Sequence, residues 1–156
     1  MRRGLTLLLA AGAGLVLAGC SAPDPDVTFY SSGKTVVVRP AQYCDLKSGQ
    51  CATREDAPAT LRVPAGRPLQ ISVPGEVANS TWAVVFSYRN ANGEPQPDAR
   101  SRIFRAGEQY AYTLNLPNPG DQLDHAEVQK IGVVDVDQTQ GVQFVVVGSW
   151  VLDTQR

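Results

Sequence analysis

A strict alternation between large apolar and smaller or polar side chains runs from Thr81 to Arg89. The large members of this set share one side of an extended chain: Trp82, Val84, Phe86 and Tyr88. Successive side chains of a β-strand point to opposite faces of its sheet, so a period of two predicts a strand with one buried face. Nothing in the sequence repeats at the period of an amphipathic helix over three turns. The pattern therefore predicts an all-β fold.

Short strand-like segments, separated by proline and glycine, continue this pattern along the chain. They are residues 35–38, 61–63, 69–73, 110–116, 128–136 and 144–152. The last segment is apolar on both sides, which is typical of a central strand that is covered on both faces. We therefore expect an antiparallel β-sandwich of seven to nine strands with an immunoglobulin-like architecture. Asp121–Gln129 is the one place where we expect a helical turn.

The first part of the chain, residues 1–19, has the composition of a secretory signal peptide. Two arginines give it a positive start, and an apolar stretch follows from Leu5 to Ala18. As a helix this stretch would be about 21 Å long, which is short of the roughly 30 Å hydrocarbon core of a membrane. We therefore expect a signal peptide over 1–19, a lipidated cysteine and tether over 20–26, and a single domain over 27–156.

The signal-like segment ends in Leu17-Ala18-Gly19-Cys20, which resembles a bacterial lipobox. In such a motif the cysteine receives a diacylglyceryl group and becomes the first residue after cleavage. At about 0.8 kcal/mol per buried CH₂, two or three long acyl chains contribute tens of kcal/mol and anchor a protein without a second signal. The resemblance implies lipidation at Cys20 and a place on the extracytoplasmic face of the cell membrane.

Two further cysteines, Cys44 and Cys51, remain once Cys20 is assigned to the lipid. Disulfides form in exported proteins, so this even remainder predicts a bond between the two. The segment between them contains a Ser-Gly turn signal that would bring two short strands together. A redox pair favours the spacing Cys-x-x-Cys, and a structural zinc site needs four ligands. We therefore expect a structural disulfide.

The charge of the chain limits its partners. Without Arg2 and Arg3, which belong to the signal, twelve basic and fifteen acidic residues remain, and the mature chain carries a net charge of −3. It has no basic run with interleaved aromatic residues. We therefore expect that the protein does not bind nucleic acid.

His125 is the only histidine, which limits the chemistry that the chain can perform. A Ser-His-Asp hydrolase would need it as the base, with Asp121 or Asp124 as the orienting acid. No Gly-x-Ser-x-Gly turn is present to hold a nucleophile, so we expect an exposed loop histidine and no enzyme. A blue-copper site needs two histidines and a free cysteine, so we expect no copper, and no other metal or cofactor either.

Asp135–Gly141 resembles the start of a calcium-binding loop. An EF-hand needs glycine at its sixth position and glutamate at its twelfth, whereas Gln140 and Val146 stand there. We therefore expect a polar hairpin turn between two strands.

Four arginines near the longest alternating segment suggest a binding surface. If Thr81–Arg89 and Arg100–Tyr112 are neighbouring strands, the guanidinium groups could meet near one loop and bind an anionic headgroup or polymer. The surface that we predict consists of Arg89, Arg100, Arg102, Arg105, Trp82 and Tyr88. The alternative is a set of solvated arginines beside Glu94, Asp98 and Glu108, which would contribute little.

The aromatic side chains leave two interpretations open. Five of them could line a ligand cavity between two sheets: Trp82, Tyr88, Tyr110, Tyr112 and Trp150. Aromatic residues that alternate along strands are more often ordinary core.

The order of these features resembles an uncharacterised family of short actinobacterial lipoproteins, known as a domain of unknown function. The resemblance rests on the lipobox, Tyr43-Cys44 with Cys51, Val63-Pro64-Ala65-Gly66, Trp82–Tyr88, Leu123 with Glu127-Val128-Gln129, and Trp150-Val151-Leu152. It implies a β-domain of the cell envelope and supplies no reaction and no catalytic residue.

These observations favour a non-enzymatic envelope lipoprotein that binds an envelope protein or an anionic envelope component. One alternative is a carrier that holds a lipid or a small apolar ligand between its sheets. A third hypothesis is an esterase-like hydrolase, since exported lipoproteins often include such enzymes.

Overall fold

The computed structural model describes residues 23–135 and 142–155, which form eleven strands and one short helix. The strands are β1 (Val27–Ser31), β2 (Lys34–Val38), β3 (Gln42–Asp45), β4 (Gln50–Thr53), β5 (Ala59–Arg62), β6 (Leu69–Ser72), β7 (Thr81–Arg89), β8 (Ala99–Arg100), β9 (Ala111–Leu114), β10 (Gln122–Asp135) and β11 (Val142–Gln155), and the helix is α1 (Gly75–Ala78). They form two sheets around one core, antiparallel except for a single parallel pair. The predicted all-β, sandwich-like fold is confirmed, whereas the immunoglobulin-like architecture stays a prediction. The strands outnumber the seven to nine expected because β1 and the two-residue β8 were not among the predicted segments.

The smaller sheet has the strand order β2-β1-β6-β9. Its central pair sets Phe29 opposite Ile71, and both side chains are fully buried. The β1–β2 hairpin turns through Ser32 and Gly33, which have φ values of 49° and 82°. Two left-handed residues in a two-residue turn match the twist of the flanking strands, and glycine adopts that conformation without strain.

The larger sheet has the order β4-β3-β11-β10-β7-β8, and β5 pairs in parallel with the end of β11. Its spine is the hairpin of β10 and β11, each fourteen residues long. A register shift lies between Lys130 and Ile131. Gly148 is needed nearby, because a Cβ there would come within 3.0 Å of the Trp150 ring.

The core between the sheets is filled by apolar side chains from both of them. Trp82, Phe104 and Trp150 are buried there. The Trp82 indole N–H donates to the Gln109 carbonyl at 3.3 Å, and that of Trp150 donates to the Pro25 carbonyl at 2.7 Å. The prediction that Trp82 belongs to a binding surface is wrong, because its side of β7 faces the core.

The tyrosines do not join the two tryptophans around a ligand cavity. Tyr112 packs against Phe104, with 5.3 Å between the ring centroids. Tyr110 is 52% exposed, and its hydroxyl donates to the Asn79 side chain. Ordinary core packing is therefore the arrangement seen for Trp82, Trp150 and Tyr112.

The helical turn expected at Asp121–Gln129 does not form, and strand β10 occupies most of that segment. The Asp121 carboxylate instead accepts hydrogen bonds from the backbone and side-chain nitrogens of Asn118. This tight turn directs the chain straight into β10. The helix α1 lies elsewhere, and its first turn is closed on the Pro74 carbonyl.

The end of the β10–β11 hairpin extends beyond its neighbours. We expected residues 144–152 to be covered on both faces, and this holds only from Val147 onward. Phe144 is 73% exposed. The reason is that the register shift between Lys130 and Ile131 gives β11 one extra residue, so Phe144 lies on the outer face of the larger sheet and not on the core face with Trp150.

Candidate functional site

The four predicted arginines lie along the β7 edge of the larger sheet and not around one loop. Antiparallel pairing sets Arg100 opposite Val85, and a bridge at Trp82 continues the pairing toward Arg105. Arg89 lies at the other end of β7. Trp82 marks the position beside which Arg105 lies, and Arg89 is seven positions further along β7, which is about 23 Å in an extended strand. The expected cluster of four is therefore wrong, because antiparallel strands carry the two ends of the set apart.

Two of these arginines are held in ion pairs. The Arg89 Nε lies 2.8 Å from a carboxylate oxygen of Asp124. Arg102 pairs with Glu108 and lies over the Phe104 ring, 4.6 Å from its centroid. A backbone N–H of the same turn and the Arg102 guanidinium stabilise the charged carboxylate, and they lower the pKa of Glu108. These arginines hold the local structure in place.

The other two arginines, Arg100 and Arg105, have exposed side chains. Neither forms an ion pair with any residue in the described ranges. Ile103 lies between them in sequence and is 46% exposed. A shallow depression lies beside Arg105 and Ile103. We call the segment Arg100–Glu108 the arginine edge.

Tyr88, the last member of the predicted surface, lies away from the arginine edge. It is half-buried, and it pairs with Leu123 of β10 near the far end of β7. Its ring packs toward Phe86 at a centroid distance of 6.1 Å. The structure therefore does not bring Tyr88 together with Arg105.

A second charged group lies on the outer face of the larger sheet, around His125. The pairing of three strands aligns Ser87 of β7, His125 of β10 and Asp153 of β11 in one row. The His125 Nδ1 lies 2.9 Å from Asp153 Oδ1, and its Nε2 lies 4.0 Å from Glu127 Oε2. His125 is therefore a strand residue between two carboxylates, and the expectation of a loop histidine is wrong.

The two carboxylates set the protonation state of this imidazole. Glu127 and Asp153 raise the pKa of His125 to about 9, while partial burial opposes them by favouring the neutral ring. By distance, Asp153 makes the direct hydrogen bond and Glu127 acts across a wider gap. At neutral pH the row therefore holds a histidinium, beside a depression of about 320 Å³ that Asp98 also lines.

The row has the composition of a Ser-His-Asp triad, but its geometry does not suit hydrolysis. No hydrogen bond joins Ser87 to His125, and a histidinium cannot accept a serine proton. Ser87 also lies within a paired strand, whose backbone N–H groups are engaged in the sheet and form no oxyanion hole. The acids that we considered, Asp121 and Asp124, bond elsewhere. Sequence reasoning missed this row because only the pairing of three distant segments assembles it.

The structure contains the predicted disulfide between Cys44 and Cys51, which lie directly opposite each other on β3 and β4. The turn between these strands is closed by Asp45. Its carboxylate accepts hydrogen bonds from the Lys47 N–H and the Ser48 hydroxyl, both at 2.9 Å, and they lower the pKa of Asp45. The disulfide thus ties together a hairpin at the edge of the larger sheet.

Other predicted features concern membranes, metals and the chain start. Within residues 23–135 and 142–155, no helix has both the length and the apolar character to span a bilayer. In the same ranges, no three or more His, Cys, Asp or Glu side chains are grouped so as to hold a metal ion. Cys20 and residues 136–141 of the calcium-like segment lie outside the described residues.

Comparison with known proteins identifies a family and relatives that are described as uncharacterised. A family model described as a protein of unknown function, DUF2771, matches residues 21–155. The chain is 26% identical over 115 residues to uncharacterised proteins of Mycobacterium bovis and of two Mycobacterium tuberculosis strains, across 74% of this chain and 68% of each relative. No solved structure matches it. The expected uncharacterised actinobacterial family is confirmed.

Proposed function

The chain belongs to the DUF2771 family of proteins of unknown function, and we propose that it is a lipid-anchored binding module of the cell envelope without catalytic activity. Cys20 carries the lipid in this proposal, and the domain lies on the extracytoplasmic face of the cell membrane. Its partner is an anionic envelope component, either a polymer or the acidic surface of an envelope protein. The observation that carries the proposal is the arginine edge.

The arginine edge has the chemistry of an anion-binding surface. Arg100 and Arg105 present exposed guanidinium groups, whose planar N–H donors match carboxylate and phosphate oxygens in pairs. Arg102 is fixed between Glu108 and the Phe104 ring, so it supports the edge. Arginine beside an exposed apolar side chain is also a common composition of protein interfaces.

The start of the described chain supports a short link between lipid and domain. Asp24 forms an ion pair with Arg54 at 2.6 Å, and the Pro25 carbonyl accepts the Trp150 indole N–H. Contact with the folded domain therefore begins four residues after Cys20. A lipid at Cys20 would hold the domain within about 14 Å of its attachment point.

The two alternative functions have less support. The packed core, with both tryptophans fully buried in it, argues against a carrier that holds a ligand between its sheets. The protonated His125 and the mid-strand position of Ser87 argue against an esterase-like hydrolase.

Cross-linking in cells tests the binding surface directly. The protein and the double variant Arg100→Glu/Arg105→Glu are expressed from the full chain, cross-linked and recovered, and their partners are identified by mass spectrometry. Reversing the two charges should abolish recovery of the partners that the unchanged protein captures, because like charges at a contact repel.

The matched control is the double variant Arg62→Glu/Arg67→Glu, which changes two exposed arginines on another part of the domain. It makes the same change in net charge and should leave recovery of the partners unchanged. Equal recovery with all three proteins would contradict the assignment of the arginine edge.

A further inference from the structure

The outer end of the β10–β11 hairpin carries an apolar face that the arginine edge does not include. β7 pairs with β10 as far as Ile131, and β3 pairs with β11 at Gly148 and Ser149. Beyond these positions, among the residues that the structure describes, β10 and β11 pair only with each other. The hairpin end is therefore a two-stranded ribbon, to which the Gln42 side chain donates a hydrogen bond at the Val146 carbonyl and beside which Leu46 lies near Gly132.

One side of this ribbon is formed by four apolar residues, which we call the hairpin face: Ile131, Val133, Phe144 and Val146. Val133 lies opposite Phe144, Ile131 lies opposite Val146, and residues two apart in a strand share a face. Val133 is 57% exposed and Phe144 is 73% exposed. A contiguous group of exposed apolar side chains indicates a contact surface, whereas single ones do not.

The start of the described chain lies beside the same hairpin. The Pro25 carbonyl accepts the Trp150 indole N–H at 2.7 Å. The four residues from Cys20 to Asp24 span at most about 14 Å, and the six from Phe144 to Trp150 span about 20 Å of strand. Together these lengths place the hairpin face within roughly 40 Å of a lipid at Cys20, so a flat membrane surface at the lipid can also meet that face.

A cation lies at the same end of the sheet. Phe104 bridges to Trp82, and the neighbouring Thr81 pairs with Ile131 of the hairpin face. Arg105, which follows Phe104, is therefore about two strand spacings, or 10 Å, from that residue. An arginine near a membrane surface is attracted to anionic lipids. The positive charge of Arg105 and the apolar hairpin face are both suited to contact with a membrane that contains anionic lipids.

We infer that the hairpin face lies on the lipid surface of the membrane to which Cys20 anchors the chain, an inference that rests on the lipid anchor of the proposed function. The hairpin face contacts lipids at the boundary between their headgroups and acyl chains. The sequence between β10 and β11 contains Asp137, and a carboxylate is costly in the hydrocarbon core. The ribbon therefore lies along the surface, with apolar side chains reaching roughly 5–10 Å into the boundary.

Fluorescence quenching by brominated lipids tests this contact. The mature chain from Cys20 with the substitution Phe144→Trp is coupled through its Cys20 thiol to a maleimide lipid, in vesicles of phosphatidylcholine and phosphatidylglycerol. Cys44 and Cys51 are bonded to each other and do not react. The emission of the introduced indole is taken as the difference from the unchanged chain, which carries the buried Trp82 and Trp150. Bromine on the acyl chains should remove about half of this difference, because the indole lies in the boundary region.

The matched control is Tyr30→Trp, which replaces an exposed aromatic residue on the smaller sheet. Its introduced indole should keep its emission in the same vesicles. Equal quenching of both indoles, or of neither, would overturn the inference. So would a blue shift at position 144 without quenching, because that result would show contact between two copies of the chain.

Chemical coupling separates this inference from the proposed function. The maleimide lipid supplies an anchor whether or not cells acylate Cys20. Absence of quenching at position 144 therefore refutes the contact of the hairpin face alone. Absence of an acyl group on the protein isolated from cells refutes the biological anchor alone.

Discussion

The register shift divides the β10–β11 hairpin into an inner half, residues 122–130 with 147–155, and an outer half, residues 131–135 with 142–146. The two halves have similar apolar sequences and opposite environments. In the inner half, Val128 and Trp150 are fully buried, whereas in the outer half Val133 and Phe144 are largely exposed. The inner half lies beside β7 and beneath the smaller sheet. Val133 and Phe144 lie on the opposite face of the hairpin from Val128 and Trp150, and no second sheet of the described residues covers that outer face. The difference teaches that the face on which an apolar side chain lies, and not the composition of its strand, decides whether it contributes to stability or to contact with another molecule.

The largest expected effect is in the inner half. The substitution Trp150→Ala should lower the free energy of unfolding by about 3–5 kcal/mol, because it leaves a cavity in the core and removes the hydrogen bond to Pro25. Urea unfolding of the two proteins, monitored by circular dichroism, measures the change. A loss below about 1 kcal/mol would show that this half is not the packed spine described above.

The disulfide hairpin β3–β4 should have an intermediate effect on the free energy of unfolding, since it pairs with the inner half but lies at the edge of the sheet. Replacing Cys44 and Cys51 by serine should lower the free energy of unfolding by about 2.5 kcal/mol, the entropy of closing an eight-residue loop in the unfolded chain. Urea unfolding measures this loss. Treating the unchanged protein with reductant should lower its unfolding midpoint to that of the double variant, and no response to reductant would mean that the bond does not form.

The row around His125 makes the stability of the inner half depend on pH. The pKa of His125 is about 9 in the folded protein and ordinarily 6.5, so folding favours the protonated ring. The stabilisation is complete below pH 6.5, declines as the pH rises and is lost above pH 9. Because a third of this side chain is exposed, we expect about 1–2 kcal/mol after screening by solvent.

Urea unfolding at pH 6, 7.5 and 9 measures this decline. The variant His125→Gln keeps a polar side chain and should show a flatter dependence over the same window. If the variant and the unchanged protein lose stability in parallel, the two carboxylates do not hold a histidinium.

The smallest expected effect is in the outer half. The substitution Phe144→Ala should change the free energy of unfolding by less than about 0.5 kcal/mol, because the side chain loses little buried area. The same urea experiment measures it beside Trp150→Ala. A loss comparable to that of Trp150→Ala would show that the outer half is packed, and it would remove the contrast between the two halves.

Much of the fold could be predicted from local patterns. The alternation from Thr81 to Arg89 predicted a strand with one buried face, and Trp82 and Val84 are buried on that face. The two cysteines left after Cys20 and the Ser-Gly turn signal between them predicted a hairpin disulfide. The helical turn predicted over Asp121–Gln129 was wrong, because the Asp121 side chain closes a turn that leads into β10, which apolar periodicity does not reveal.

The candidate site was less accessible to sequence reasoning. An alternating pattern shows which side of a strand is apolar, but not which strand lies beside it or where pairing stops. The row of Ser87, His125 and Asp153 depends on the pairing of three strands, and the exposure of Phe144 depends on the register shift between β10 and β11. Both are properties of the tertiary arrangement. They follow from pairing between residues far apart in sequence.

The most direct test of the account is the intact mass of the protein purified from its native membrane. A lipid-anchored envelope module should begin at Cys20, carry a diacylglyceryl group on that thiol, and retain the Cys44–Cys51 bond. A polypeptide that begins at Met1 with an unmodified Cys20 would contradict the anchor and the location.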